Sequence, residues 1–153
     1  MRLTAFTDYS LRVLLFLATA PEGRATIAEI ARAYGVSQNH LVKVAHLLGR
    51  EGFLVTTRGR SGGLRLAKAP SAVNVGNVVR VTEGPSVLAE CFDPDGGQCP
   101  IARVCSLIPM FQQADNAFYG VLDRYTLADL VATPRRMAAI LHRTPLPQTG
   151  ERQ

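Results

Sequence analysis

Residues 26–48 read TIAEIARAYGVSQNHLVKVAHLL, and their pattern decides the fold. Thr26-Ile27-Ala28-Glu29 is a capping box: the threonine hydroxyl and the glutamate carboxylate each satisfy a backbone N–H that a helix start leaves unpaired. Ile27, Ile30 and Ala31 make a buried stripe. Gly35 can take the left-handed turn that ends the helix. Ser37 is positioned to cap a second helix, along which Leu41, Val44, Leu47 and Leu48 share one apolar face. Helix, short glycine-containing turn and helix make the helix-turn-helix pattern.

The flanks extend this reading. Upstream, Leu11, Val13, Leu14, Leu15, Phe16, Leu17 and Ala18 predict a mostly buried helix. Thr7 is its expected cap, with Asp8 in the first turn, where a negative charge is favoured. Downstream, Phe53-Leu54-Val55-Thr56-Thr57-Arg58 reads as a strand, Gly59 to Gly63 as a loop and Leu64-Arg65-Leu66 as the return strand. A hairpin in that place is a wing. Residues 74–82 predict a short helix capped by Asn74. Leu107, Phe111, Ala114, Phe118, Val121 and Tyr125 are spaced 4-3-4-3-4 on a long helix, the seam of a helix that packs on a partner helix. The seam could pack within the chain or in a homodimer, and the dimer is the favoured reading. Thr126-Leu127-Ala128-Asp129 restarts a short helix, and Thr133-Pro134 opens the last one. The expected fold class is mainly α with a small β-wing: a winged helix-turn-helix plus a long dimerisation helix.

Charge supports a polyanion partner. The net charge of the 153 residues is +5, and residues 1–70 carry ten Lys/Arg against four Asp/Glu, whereas residues 71–153 carry seven against eight. A basic excess confined to the helix-turn-helix half fits nucleic acid, and it also fits a basic solvated surface. In a helix-turn-helix the start of the second helix reaches base edges in the major groove. Those positions are Ser37, Gln38, Asn39 and His40, with Lys43 one turn on. Gln and Asn bond adenine bidentately, and Ser, His and Lys can reach bases or phosphates. Singly each suits any exposed helix face; together, after the turn and before a basic wing, they favour reading. Arg58, Arg60 and Arg65 of the wing suit phosphates or a narrow minor groove, although Arg58 and Arg65 flank the strands and could pair internally. A dimer would set two such helices on a palindromic double-stranded operator.

The three cysteines, Cys91, Cys99 and Cys105, lie in a Pro/Gly-rich stretch with the spacing C-x7-C-x5-C. A disulfide framework would want an even count. The paired spacings of zinc ribbons are absent, although a structural zinc stays open. A thiol–disulfide switch needs a neighbouring cation, and Arg103 is the only candidate nearby. Three thiolates in one loop can hold an iron–sulfur cluster, with a fourth ligand supplied from elsewhere. An electron carrier or iron–sulfur enzyme would leave the wing unexplained. No nucleophile–base pair is evident: His40, His46 and His142 are dispersed, His46 on a helix surface and His142 in the tail. No catalytic residue is assigned. No apolar run reaches a membrane span, and the first residues lack a signal peptide, so a cytoplasmic setting without membrane contact is expected.

These motifs resemble a bacterial family, the IscR/NsrR/RirA regulators. The resemblance runs over about residues 1–132. It rests on Leu3 to Arg12, Ser37 to Val44, Arg58 to Leu66, the three cysteines and Tyr125 to Val131. It implies a homodimeric winged-helix repressor with an iron–sulfur cluster near the dimer interface. Phe6-Thr7-Asp8-Tyr9, Asn39-His40 and Tyr125-Thr126-Leu127-Ala128-Asp129 resemble most the nitric-oxide-sensing branch, NsrR. There the residue matching Asp8 can supply the fourth ligand from the other subunit, and the signal acts by nitrosylation of the cluster. The alternative role of Asp8 is to stabilise the helix dipole, and Arg12, at i+4, could pair with it when it is not ligating. Ala89-Glu90-Cys91-Phe92 and the x7 spacing also resemble RirA, the iron-responsive branch. The IscR branch carries a histidine three residues after the last cysteine, where this chain has Ile108. Three cysteines and one oxygen ligand suit a 4Fe-4S or a 2Fe-2S cluster, of which the 4Fe-4S form is favoured. The expected organisation is a DNA-binding domain over 1–83, a cluster-binding loop over 84–106, a dimerisation helix and C-terminal helices over 107–144, and a flexible tail over 145–153.

Overall fold

The computed structural model describes residues 2–57, 59, 62–85, 88–92 and 98–142. Seven α-helices and one two-stranded antiparallel sheet follow each other in these residues: α1 Ala5–Thr19, α2 Ile27–Tyr34, α3 Gln38–Arg50, β1 Leu54–Thr57, β2 Gly63–Leu66, α4 Val75–Glu83, α5 Leu107–Leu122, α6 Leu127–Leu130 and α7 Pro134–Leu141. The fold is mainly helical with a small wing, as expected.

The core is built around α1. Val13, Leu14, Phe16 and Leu17 meet Ile30 and Ala31 of α2, Leu41, Val44, Ala45 and Leu48 of α3, and Leu54 and Leu64 of the wing. Burying such side chains stabilises by roughly 1.5–3 kcal/mol each, which holds α2 and α3 at a fixed angle to α1. Two of the hydroxyls buried in this helix are satisfied locally: Ser10 donates to the Phe6 carbonyl at 2.8 Å and Thr19 to that of Leu15 at 3.0 Å.

Local signals explain most helix ends. Thr26 and Glu29 form the reciprocal capping box, and Gly35 closes α2 at φ 64°. Ser37 occupies the cap position of α3, but its hydroxyl makes no capping bond. The cap of α1 is Thr4, not Thr7: the Thr4 hydroxyl accepts from the Thr7 N–H at 3.2 Å. Thr7 is inside the helix, fully buried, and donates to the Thr82 hydroxyl at 2.8 Å. Both threonines fit a cap locally, and the contact with α4 decides between them.

The wing pairs Leu54 with Leu66 through Thr57 with Gly63. Leu64 also exchanges two backbone hydrogen bonds with Ala25, at 2.7 and 3.1 Å, which pins the wing to the segment entering α2. Gly63 makes this possible. Its φ is 152°, and a Cβ there would lie 2.9 Å from the Ala25 carbonyl oxygen.

α5 leans on α4 through Val75, Val79 and Tyr119. Arg80 clasps Asp123 by two hydrogen bonds of 2.6 Å and lies over the Tyr119 ring at 4.5 Å. The 4-3 seam divides. Phe111 and Phe118 are half-buried, while Leu107, Ala114 and Val121 are exposed and Tyr125 lies beyond the helix end. Met110 and Ala117 are exposed as well, so an apolar stripe of Leu107, Met110, Ala114, Ala117 and Val121 runs along α5.

The last helix returns to the core. His142, expected in the tail, lies against Phe16 with ring centroids 4.3 Å apart, and its Nε2 is 3.1 Å from the Thr19 hydroxyl. Residues 145–153, expected as a flexible tail, lie outside the described residues. No helix among the described residues is long and apolar enough to cross a membrane.

Candidate nucleic-acid interface and cysteine loop

Ser37, Gln38, Asn39, His40 and Lys43 are all exposed at or near the start of α3. Leu41, Val44, Ala45 and Leu48 of the same helix are buried against α1 and α2, which turns the polar face outward. Asn39, Lys43, His46 and Arg50 recur every three or four residues along that face. His40 stands to one side, its ring stacked on that of Tyr9 with centroids 6.0 Å apart and planes at 22°. Arg65 is exposed on β2, opposite Val55. Arg58 and Arg60 lie outside the described residues. His46 is exposed on the α3 face as expected, and the sequence reading does not single out Arg50 or Val42, the latter 51% exposed among polar neighbours.

Asp8 is on α1 one residue before Tyr9. Its carboxylate pairs with Arg12 at 2.8 Å, and its side chain is 47% exposed. The Arg12 guanidinium lies 5.5 Å from the centre of the Tyr34 ring. The i+4 ion pair anticipated from spacing is therefore formed, and its arginine also touches α2. At this exposure such a pair contributes about 0.3–0.5 kcal/mol, so it gives way readily to a stronger ligand for the carboxylate.

Glu83, the last residue of α4, reaches back to the start of α1. Its carboxylate accepts from the Thr4 N–H at 2.8 Å and from the Thr4 hydroxyl at 3.0 Å. Burial pushes this carboxyl up, but the nearby Thr7 hydroxyl and the hydrogen bonds from Thr4 outweigh that and hold it below the usual range. The loop with the cysteines opens at the next residue, so one side chain joins the root of that loop to the first turn of α1. A separation of 79 residues hides this bond from any local sequence signal.

In the loop, Cys91 sits in a single 3-10 turn over Glu90–Phe92, and Cys105 follows another over Ala102–Val104. All three thiols are free and half-buried. Glu90 brings the first two stretches together: its carboxylate accepts from the Gln98 N–H at 2.7 Å. Phe92 meets Phe111 with ring centroids 6.4 Å apart, which holds the loop against α5.

The donor set suits an iron–sulfur cluster: three soft thiolates, none consumed by a disulfide. Among the described residues no three of His, Cys, Asp and Glu converge closely enough to hold a single metal ion. A cluster spreads its thiolates over several irons, so its ligands stand farther apart than those of one ion. Asp8 is on another element and does not join the cysteines within the described chain.

Comparisons with known proteins agree with this architecture. Residues 3–133 match the model of the Rrf2 family, described as an iron-dependent transcriptional regulator. The HTH-type transcriptional regulator NsrR of Bacillus licheniformis is 44% identical over 142 residues, covering 92% of this chain and 99% of that protein. The NsrR of Bacillus subtilis is 46% identical over 142 residues, covering 92% and 97%. Among solved structures, the global cysteine regulator CymR of B. subtilis superposes with a TM-score of 0.67 at 26% identity, over 85% of this chain and 95% of its own. IscR of T. potens shares the fold with a TM-score of 0.68 at 24% identity, over 86% of each chain. Names and folds alike are those of transcription regulators, not enzymes. The chain belongs to the Rrf2 family of winged-helix transcriptional regulators.

Proposed function

We propose that this chain is a cytoplasmic, homodimeric DNA-binding repressor whose grip on its operator depends on an iron–sulfur cluster, and that nitric oxide is the signal. Cys91, Cys99 and Cys105 would hold the cluster, with Asp8 of the partner subunit as fourth ligand. Ser37, Gln38, Asn39, His40 and Lys43, with Arg58, Arg60 and Arg65 of the wing, would bind the palindromic duplex. When bound, the cluster supplies iron that nitric oxide attacks.

One observation carries the reading: α1 bears Asp8 and, one residue on, touches the reading helix. Its residue Asp8 is half-exposed and forms a weak ion pair. Its next residue, Tyr9, stacks on His40 of the reading helix. Drawing Asp8 toward a neighbouring subunit would release Arg12 from it and shift Tyr9 against His40. A ligand biases a conformational equilibrium only by binding one state better than the other. Here the favoured state would be the one in which α1, and α3 with it, is tied to the partner's cysteine loop. The exposed apolar stripe on α5 supports a dimer, since such stripes are buried against partner helices.

The cofactor is tested by the visible spectrum of protein purified without oxygen. A brown protein containing iron and sulfide, and a colourless Cys99→Ser variant, are expected. A colourless, zinc-containing wild type overturns the cluster and leaves a winged-helix regulator with a structural zinc. The x7 cysteine spacing keeps an iron-responsive repressor as the second reading. A brown protein whose DNA affinity follows iron supply and ignores nitric oxide would establish it.

A further inference from the structure

Val42 is the one large apolar residue exposed on α3 among the described residues, with 51% of its surface open. A lone exposed valine needs no explanation on most surfaces. This one lies four residues after Gln38, three after Asn39 and four before His46, so all three are its neighbours on the helix. The polar face of α3 thus carries a branched apolar side chain beside its two carboxamides. Val42 is about 6 Å along the helix axis from Gln38, and its Cα–Cβ bond tilts back toward the helix start. The methyls therefore lean toward the carboxamides.

We propose that Val42 is a specificity-determining residue that reads the C5-methyl of a thymine, while Gln38 or Asn39 reads adenine in the same or the adjoining base pair. The inference rests on the DNA-binding reading above. Its chemistry follows from the major-groove edge. An A·T pair there presents adenine N7 and N6, which match a carboxamide, and the thymine methyl, which offers only an apolar surface. Polar side chains on the same face have nothing to gain from that methyl; Val42 buries its own methyls against it. Removing the thymine methyl should weaken binding by about fourfold, the worth of one buried methyl-sized group.

The test uses duplexes selected from a random-core DNA pool by the full-length protein prepared without oxygen. Each thymine of the selected core is then replaced singly by deoxyuridine, which removes the methyl alone. Wild type is expected to lose about fourfold in affinity at one thymine of each half-site. Val42→Ala should bind the thymine duplex more weakly and show no further loss at that position, while Val42→Ile, which keeps the apolar branch at Cβ, should retain it. A wild type indifferent to every deoxyuridine overturns the proposal. So does a loss that Val42→Ala shows undiminished. Failure to select any duplex would overturn the DNA-binding reading itself, and this inference with it.

Discussion

Asp8, Glu83 and Thr4 are a few residues on which two functions meet. Asp8 sits in the first turn of α1 and pairs with Arg12, so the helix-dipole role and the ion pair coexist in one side chain. If it also ligates from the partner, Asp8→Ala should leave the fold intact but yield protein that loses its visible absorption faster in air. An unaltered spectrum and lifetime would remove Asp8 from the site. Thr4 caps α1 and is itself gripped by Glu83. Thr4→Ala should cost about 1 kcal/mol of stability in a denaturant titration. Spacing and residue type single out the cysteines and the polar start of α3 as candidates, and the family resemblance adds Asp8. Glu83 and Tyr9 were not legible, since each acts across elements distant in sequence. Val42 falls off the apolar face set by Leu41, Val44, Leu47 and Leu48, but a single valine among polar residues carries no chemical signal of its own.

At the scale of elements, the caps of α2 and α4 were read well, that of α1 was not, and partners were read poorly. The capping box of α2 and the turn at Gly35 needed only local physics. The choice of Thr4 over Thr7 needed the α4 contact, and the docking of α7 needed the Phe16 ring. Gly63→Ala should destabilise the protein by about 1–3 kcal/mol, because the new Cβ meets the Ala25 carbonyl in a backbone region that suits glycine. The thermal midpoint should fall accordingly, and an unchanged midpoint would refute the account of the wing. His142 gives α7 a pH dependence. Burial holds its pKa below the ordinary value of 6.5, opposed by the nearby Glu29 carboxylate. A base with a depressed folded pKa contributes stability that is fully present above its unfolded pKa and is lost as pH falls through the folded one. Stability should therefore decline on going from pH 7 toward 5, and His142→Asn should flatten that slope. Equal slopes in the two proteins would contradict it.

For the whole molecule, a basic winged-helix half is joined to a long helix that shows an apolar stripe. The 4-3 spacing marks Leu107, Ala114 and Val121 of that stripe, but the structure adds Met110 and Ala117 to it and packs Phe111 and Phe118 of the seam within the chain. Val121→Lys should convert a dimer to monomer in sedimentation velocity, with α-helical content kept; a wild-type sedimentation coefficient would sink the stripe as the dimer contact. In the proposed function the state of the cysteine site sets DNA affinity. The direct measurement is a binding titration of oxygen-free, reconstituted protein on a selected duplex, before and after addition of nitric oxide, at one fixed salt concentration because such affinities vary steeply with salt. A fall in affinity of at least about tenfold is expected, the size of an ordinary allosteric coupling. Unchanged affinity after nitric oxide has bleached the protein would contradict it.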